Sequence, residues 1–188
     1  DDVLNLKIED ENIDKSVKVV YSPLYGTGNK LVRRILQERG FKNIYIVKEQ
    51  ENPDPDFTTV GYPNPEDPKA FKYAEALGKE KGAELLIATD PDADRTALEV
   101  LNKDGEYQFL TGNEIGSLLT YYILSRLHER GEMPDNPAIV KSIVTSDLPD
   151  KIAKKYNVDS LNVLTGFKNI YAPANEWDEN NEKTFVFG

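Results

Sequence analysis

ELLIATDPDADRTALEVL, running from Glu84 to Leu101, sets three carboxylates between two apolar runs. Asp90, Asp92 and Asp94 occupy alternate positions, with Pro91 and Ala93 between them and Arg95 directly after. The lead-in reads as a buried strand running out into a loop, and TALEVL as a strand returning from it. In an extended stretch, side chains at i, i+2 and i+4 share a face, so the three carboxylates can turn toward one point. Like charges that close resist ionising together unless a cation lies among them. Mg2+ suits such a site, because it is small, oxygen-seeking and content with few carboxylates. Arg95 cannot ligate a metal, but it can offset surplus charge and pair with a carboxylate or phosphate oxygen. A solvated acidic turn is the bland alternative, since Asp and Pro are ordinary turn formers. A calcium EF-hand is a poor competitor: its sixth and twelfth positions, counted from Asp90, hold Arg95 and Leu101 in place of glycine and glutamate.

Outward from this stretch the chain alternates strand and helix. VKVVY, Val17 to Tyr21, flows through a Pro/Gly turn into KLVRRILQERG, where Leu31, Val32, Ile35 and Leu36 repeat with helical period until Gly40. NIYIV, Asn43 to Val47, is the next strand. Glu49 to Pro68 is rich in proline and acids and reads as a long connection, a kind of segment that is commonly functional. Pro68 to Lys81 reads as a helix with Phe71, Ala74 and Leu77 along one stripe. Asp104-Gly105 is a turn, and a second unit is expected from about Gly105. There Asn113 to Arg130 has helical spacing, Ala138 to Val144 is a strand, and TSDLPDKIAKKY opens a helix with Ser146 or Asp147 as N-cap. Val158 to Leu164 is strand-like, WDENNEK around Trp177 reads as a polar turn, and Lys183 to Phe187 as a last strand. This alternation supports α/β domains with mixed, largely parallel sheets whose functional loops lie beyond strand C-terminal ends.

Composition narrows the classes. The chain has 188 residues, a formal net charge of -10 and no cysteine, which excludes disulfides and thiolate ligands. The acidic balance argues against a nucleic-acid surface. No run approaches the roughly 18 apolar residues of a membrane helix, and the acidic start lacks the features of a signal peptide. A non-membrane, cytoplasmic home is the expectation. An acidic protein handling anionic substrates must gather positive charge locally, and Arg95, Lys168 and Lys30 are the cations that sit in motifs.

Other features carry less. YGTG, Tyr25 to Gly28, follows a strand and precedes a helix; its backbone could receive an anion, while a tight turn explains the same glycines. Ser22 and Thr27 are assigned no chemistry. Asn113 and Glu114 read as shaping or capping the helix that follows. Thr145, Ser146 and Asp147 lie at the mouth of a strand. His128, the sole histidine, sits in a charged helix end between arginines, and the acidic runs read as solvated faces.

The acidic motif and four further segments, in order, resemble the alpha-D-phosphohexomutases, the family of phosphoglucomutase and phosphomannomutase. VVYSPLYGTGNK, Val19 to Lys30, is similar to the opening strand and loop of that family's second domain, and EQENPDPDFTTVGYPNPEDP, Glu49 to Pro68, to a connecting segment of phosphoglucomutase and phosphopentomutase types. LTGNEIG, Leu110 to Gly116, resembles the start of the third domain. LTGFKNI, Leu164 to Ile170, resembles the third-domain loop that approaches the sugar phosphate. The resemblance implies two consecutive α/β/α domains: residues 1–104 as domain II with the metal loop, and 105–188 as domain III, C-terminally incomplete.

The same resemblance implies an enzyme: an Mg2+-dependent isomerase that moves a phosphoryl group between glucose 1-phosphate and glucose 6-phosphate through a phosphoserine and a 1,6-bisphosphate. Asp90, Asp92 and Asp94 would hold the metal, Arg95 would support the loop and the phosphate, and Thr165, Gly166 and Lys168 would bind the sugar phosphate. The family's reactive serine loop, its glutamate-glutamate-serine sugar loop and its fourth-domain phosphate loop have no match here. The chain is therefore read as a middle portion of a longer enzyme, inactive alone, holding Mg2+ weakly without the phosphoserine ligand, with domains I and IV as its partners and glucose 1,6-bisphosphate as activator of the whole. Phosphomannomutase and phosphopentomutase are the alternatives within the family, and a non-catalytic metal- or sugar-phosphate-binding module the alternative outside it. A haloacid-dehalogenase-like phosphatase fits poorly, because Arg95 follows Asp94 where its DxDx[TV] motif differs.

Overall fold

The computed structural model describes residues 2–5, 8 and 13–188, which form two compact units, 1–112 and 113–188. After a one-turn helix, α1 (Asp2–Asn5), the first unit runs β1 (Val19–Ser22), α2 (Gly28–Glu38), β2 (Ile44–Ile46), α3 (Lys72–Lys81), β3 (Leu85–Thr89), β4 (Thr96–Leu101) and β5 (Tyr107–Leu110). Its sheet has the order β2-β1-β3-β4-β5. β1 lies parallel to both β2 and β3, whereas β4 turns back antiparallel to β3 and β5 antiparallel to β4. β5 lies beyond the 104/105 boundary expected from sequence, because Tyr107–Leu110 pair with Leu98–Leu101 across the Asp104-Gly105 turn.

Burial on one face of this sheet gives the main core. Val20, Leu24, Leu86, Ala88 and Ala97 pack with Phe71 and Ala74 from the α3 region, and the stripe expected at Phe71, Ala74 and Leu77 is the one that faces inward. Each fully buried Val, Leu or Phe side chain among them contributes about 1.5–3 kcal/mol. The α3 ends are chemically marked. Asp67 accepts the Lys69 N–H at 3.0 Å ahead of the 3-10 turn Pro68–Phe71, and Gly82 closes the helix in the left-handed region at φ +63°.

The second unit holds α4 (Gly112–Glu129), β6 (Pro137–Ser142), α5 (Leu148–Lys155), β7 (Asp159–Val163), α6 (Phe167–Asn180) and β8 (Thr184–Phe187). Its three strands are all parallel in the order β7-β6-β8. The first strand of each unit thus lies between the second and third, so the second unit repeats the β2-β1-β3 arrangement of the first. Within it Lys141, 8% exposed, pairs with Asp150 at 3.1 Å and donates to the Thr145 carbonyl, tying β6 to α5 and to the loop between them.

Two local expectations are met only in part. Only the end of WDENNEK, residues 181–183, is a polar turn: residues 167–180 form α6, and Trp177, 7% exposed, packs on Ala138 and Val140. Ile170, Ala174 and Trp177 fall on one helical stripe whose burial overrides Pro173 inside the helix. Asp147 stands at the α5 N-cap, as expected, but makes no side-chain capping bond; the loop is also held by Asn113, whose Oδ1 accepts the Ser146 N–H at 2.9 Å. Among the described residues no helix is long and apolar enough to cross a membrane.

Candidate metal centre

β3 delivers Asp90, and the loop 90–95 closes between the paired residues Thr89 and Thr96. The carboxylates do not converge along an extended stretch. The loop is a turn: Ala93 donates its N–H to the Asp90 carbonyl at 3.0 Å and takes φ +59°. That left-handed residue folds the chain back so that one oxygen each of Asp90, Asp92 and Asp94 lies within 4.8 Å of the others. Asp90 is 1% exposed, while Asp92 and Asp94 face solvent.

Arg95 sets the charge state of the buried member. Its backbone N–H donates to Asp90 Oδ1 at 3.0 Å and its Nε to Oδ2 at 2.8 Å. Burial pushes the Asp90 carboxyl up, but the Arg95 backbone N–H, the Arg95 guanidinium and a bond with Asp94 outweigh it and hold the group below the usual carboxylate value. Asp94 moves the other way, raised by desolvation, by its bond with Asp90 and by the charges of Asp92 and Asp90. The cluster therefore sets a buried carboxylate with a lowered pKa beside an exposed one whose pKa its acidic neighbours raise. A hard divalent ion relieves that repulsion, and an all-oxygen carboxylate set fits Mg2+.

The loop after β1 is built around this turn. A Cβ on Gly26 would lie 2.5 Å from Pro91 Cα and 2.8 Å from the Asp90 carbonyl oxygen, and one on Gly28 would meet the Tyr21 hydroxyl, Thr89 Oγ1 and Ala93 Cβ within 3.1 Å. The backbone N–H and Oγ1 of Thr27 both donate to the Pro91 carbonyl, at 2.8 and 3.1 Å. The glycines of YGTG thus serve close approach, and the left-handed positions fall instead on Leu24 and Tyr25. Ser22 Oγ donates to Gln50 Oε1 at 2.6 Å in the buried interior, and the Gln50 amide and the Tyr25 hydroxyl both donate to Thr59 Oγ1, clamping the connecting segment to the same loop. Lys30 is exposed on the first turn of α2.

Thr165, Gly166 and Lys168 come together in the second unit, all exposed. Lys168 belongs to the first turn of α6 and not to a loop; Gly166, at φ +111°, precedes that turn and accepts the Asn169 N–H, while Asn169 Nδ2 donates to the Thr165 carbonyl at 2.8 Å. His128 packs its ring against Tyr156. Sequence reasoning missed Asn64, whose Oδ1 accepts from Arg95 Nη1 at 3.2 Å. Its position between Pro63 and Pro65 was the available signal.

The architecture is that of an α/β protein with a candidate cation loop at the C-terminal end of a sheet strand. Residues 1–103 match the phosphoglucomutase/phosphomannomutase α/β/α domain II family and residues 111–188 the corresponding domain III family, so the chain belongs to the phosphoglucomutase/phosphomannomutase family. It is 36% identical over 171 residues to a Staphylococcus aureus phosphoglucomutase, covering 91% of this chain and 30% of that protein. Against a Staphylococcus saprophyticus phosphoglucomutase the figures are 42% over 151 residues, 80% and 27%. The chain thus spans less than a third of the length of these relatives. Among solved structures, a phosphoglucomutase/phosphomannomutase family protein from Burkholderia thailandensis superposes with a TM-score of 0.65 at 23% identity, over 86% of this chain and 32% of that one. The Aspergillus fumigatus N-acetylphosphoglucosamine mutase, in complex with GlcNAc-6P and magnesium, does so at 0.62 and 18%, over 88% and 34%. These two share the fold.

Proposed function

We propose that this chain supplies the metal loop and part of the sugar-phosphate site of a longer cytoplasmic phosphoglucomutase, which interconverts glucose 1-phosphate and glucose 6-phosphate through a phosphoserine and a glucose 1,6-bisphosphate intermediate. The observation that carries the reading is the convergence of Asp90, Asp92 and Asp94 within 4.8 Å, with Asp90 buried and locked by Arg95. Asp90, Asp92 and Asp94 would hold Mg2+, and Mg2+ when bound supplies positive charge to the transferring phosphoryl group. Arg95 pairs with Asp90 and orients it, and the Arg95 side chain, 42% exposed, leaves its guanidinium reachable by a phosphate oxygen. Lys168 offers a mobile point charge for the sugar phosphate at the start of α6, where the helix N-terminus adds to it, and Gly166 and Thr165 shape its approach.

The serine that exchanges the phosphoryl group and the remaining sugar contacts belong, on this reading, to domains I and IV of the same polypeptide. The isolated chain then turns over no hexose phosphate and holds Mg2+ weakly. The identity to phosphoglucomutases favours glucose over mannose or ribose. A coupled assay on the longer protein, with Mg2+ and a trace of glucose 1,6-bisphosphate, compares glucose 1-phosphate with mannose 1-phosphate and ribose 1-phosphate. Preference for glucose 1-phosphate, with none of the three converted by this chain alone, is the expected result. Preference for mannose or ribose moves the assignment to phosphomannomutase or phosphopentomutase, and inactivity on all three moves it to a non-catalytic binding module.

A further inference from the structure

Arg95 is gripped from two sides. Asp90 takes its backbone N–H and Nε, and Asn64, 31 residues earlier in the connecting segment, takes Nη1. The accepting oxygen is set in place by its own turn. Asn64 Oδ1 also receives the Glu66 N–H at 3.0 Å, the Asn64 carbonyl receives the Asp67 N–H at 3.1 Å, and the Asn64 N–H donates to the Tyr62 carbonyl at 2.9 Å. Pro65, next in the chain, is buried. The asparagine therefore presents a preset acceptor, whereas a guanidinium held at Nε alone keeps torsional freedom about its long side chain.

We infer that Asn64 is a positioning residue: its side-chain oxygen fixes the plane of the Arg95 guanidinium and through it the orientation of the buried Asp90 carboxylate. The inference rests on the metal-loop reading and extends it to the connecting segment, which becomes an outer support of the centre. Groups that hold a ligand from outside tune affinity without touching the ion. The acceptor, not the bulk of the side chain, is what matters, so aspartate at 64 preserves the hold and alanine abolishes it.

Two readouts on the 188-residue chain test this. One is solvent exchange of the Arg95 Nε–H, followed by NMR without metal; the other is Mn2+ affinity by electron paramagnetic resonance, with Asp92→Asn as the metal control. Asn64→Ala is expected to speed the exchange and weaken Mn2+ binding by about fivefold each, the scale of one ordinary hydrogen bond. Asn64→Asp is expected to restore both. Exchange in Asn64→Ala equal to that of the unmodified chain overturns the inference whatever the metal does. Faster exchange with unchanged Mn2+ affinity overturns the claim that the hold reaches Asp90. Mn2+ binding indifferent to Asp92→Asn removes the metal-loop reading instead, while the exchange result still decides whether Asn64 holds Arg95.

Discussion

Arg95 closes on Asp90 with two different donors, one from its backbone at 3.0 Å and one from its side chain at 2.8 Å, so that each carboxylate oxygen receives one hydrogen bond. The buried charge is compensated without filling either oxygen. Each keeps acceptor capacity for a cation.

Removing the side-chain half of this pair has a defined cost. Arg95→Ala leaves the backbone bond in place, and because the side chain is 42% exposed the loss is screened, giving about 1–2 kcal/mol. The sign with pH follows from the depressed carboxyl of Asp90. The pair stabilises the fold above the unfolded carboxylate value of about 4 and is lost as pH falls below it. Thermal melts from pH 7 to pH 3 are expected to show a shallower acid loss in Arg95→Ala than in the unmodified chain.

Gly26→Ala tests the close approach of the β1 loop. The obstacles at 2.5 and 2.8 Å are backbone atoms of Pro91 and Asp90, so the acidic turn itself must move. A loss of about 1–3 kcal/mol is expected in denaturant titration, with Mn2+ binding lost along with it.

Glu99 predicts a second pH dependence, of opposite sign. It lies on β4, 3% exposed, and its Oε2 has no hydrogen-bond partner; burial and the Glu75 charge raise its carboxyl to about 7, against the pull of Lys79. Between the unfolded carboxylate value and that raised value the folded state binds more protons, so stability falls as pH rises through this window and levels off above it. The difference between unmodified chain and Glu99→Gln, measured at pH 5, 6.5 and 8, is expected to change by up to about 3 kcal/mol in favour of the variant at pH 8.

Trp177→Ala is expected to destabilise the second unit by about 3–5 kcal/mol, measured by tryptophan-independent circular dichroism, because the ring packs on the central strand β6. A residue in a solvated turn would cost a few tenths.

Much of this was legible in the sequence, for identifiable reasons. β3 and the helix over Phe71, Ala74 and Leu77 follow from apolar periodicity that burial then uses, and the acidic loop follows from alternation of residue types. The manner of convergence was not legible: a left-handed Ala93 is a backbone state that an alanine does not advertise. Nor was the reason for Gly26 and Gly28, since all but one of the atoms that crowd them, the Tyr21 hydroxyl, come from residues more than 60 positions away. α6 was hidden by Pro173 and by a polar run, because the partner of Trp177 is a distant strand.

On the proposed function, Asp90, Asp92 and Asp94 would hold Mg2+ in a glucose-phosphate mutase. The most direct measurement is glucose 1-phosphate conversion by the longer protein across a Mg2+ titration, unmodified and with Asp92→Asn. A Mg2+-dependent activity that falls more than about a hundredfold in the variant is the predicted result. Activity equal in both proteins, or independent of Mg2+, would contradict it.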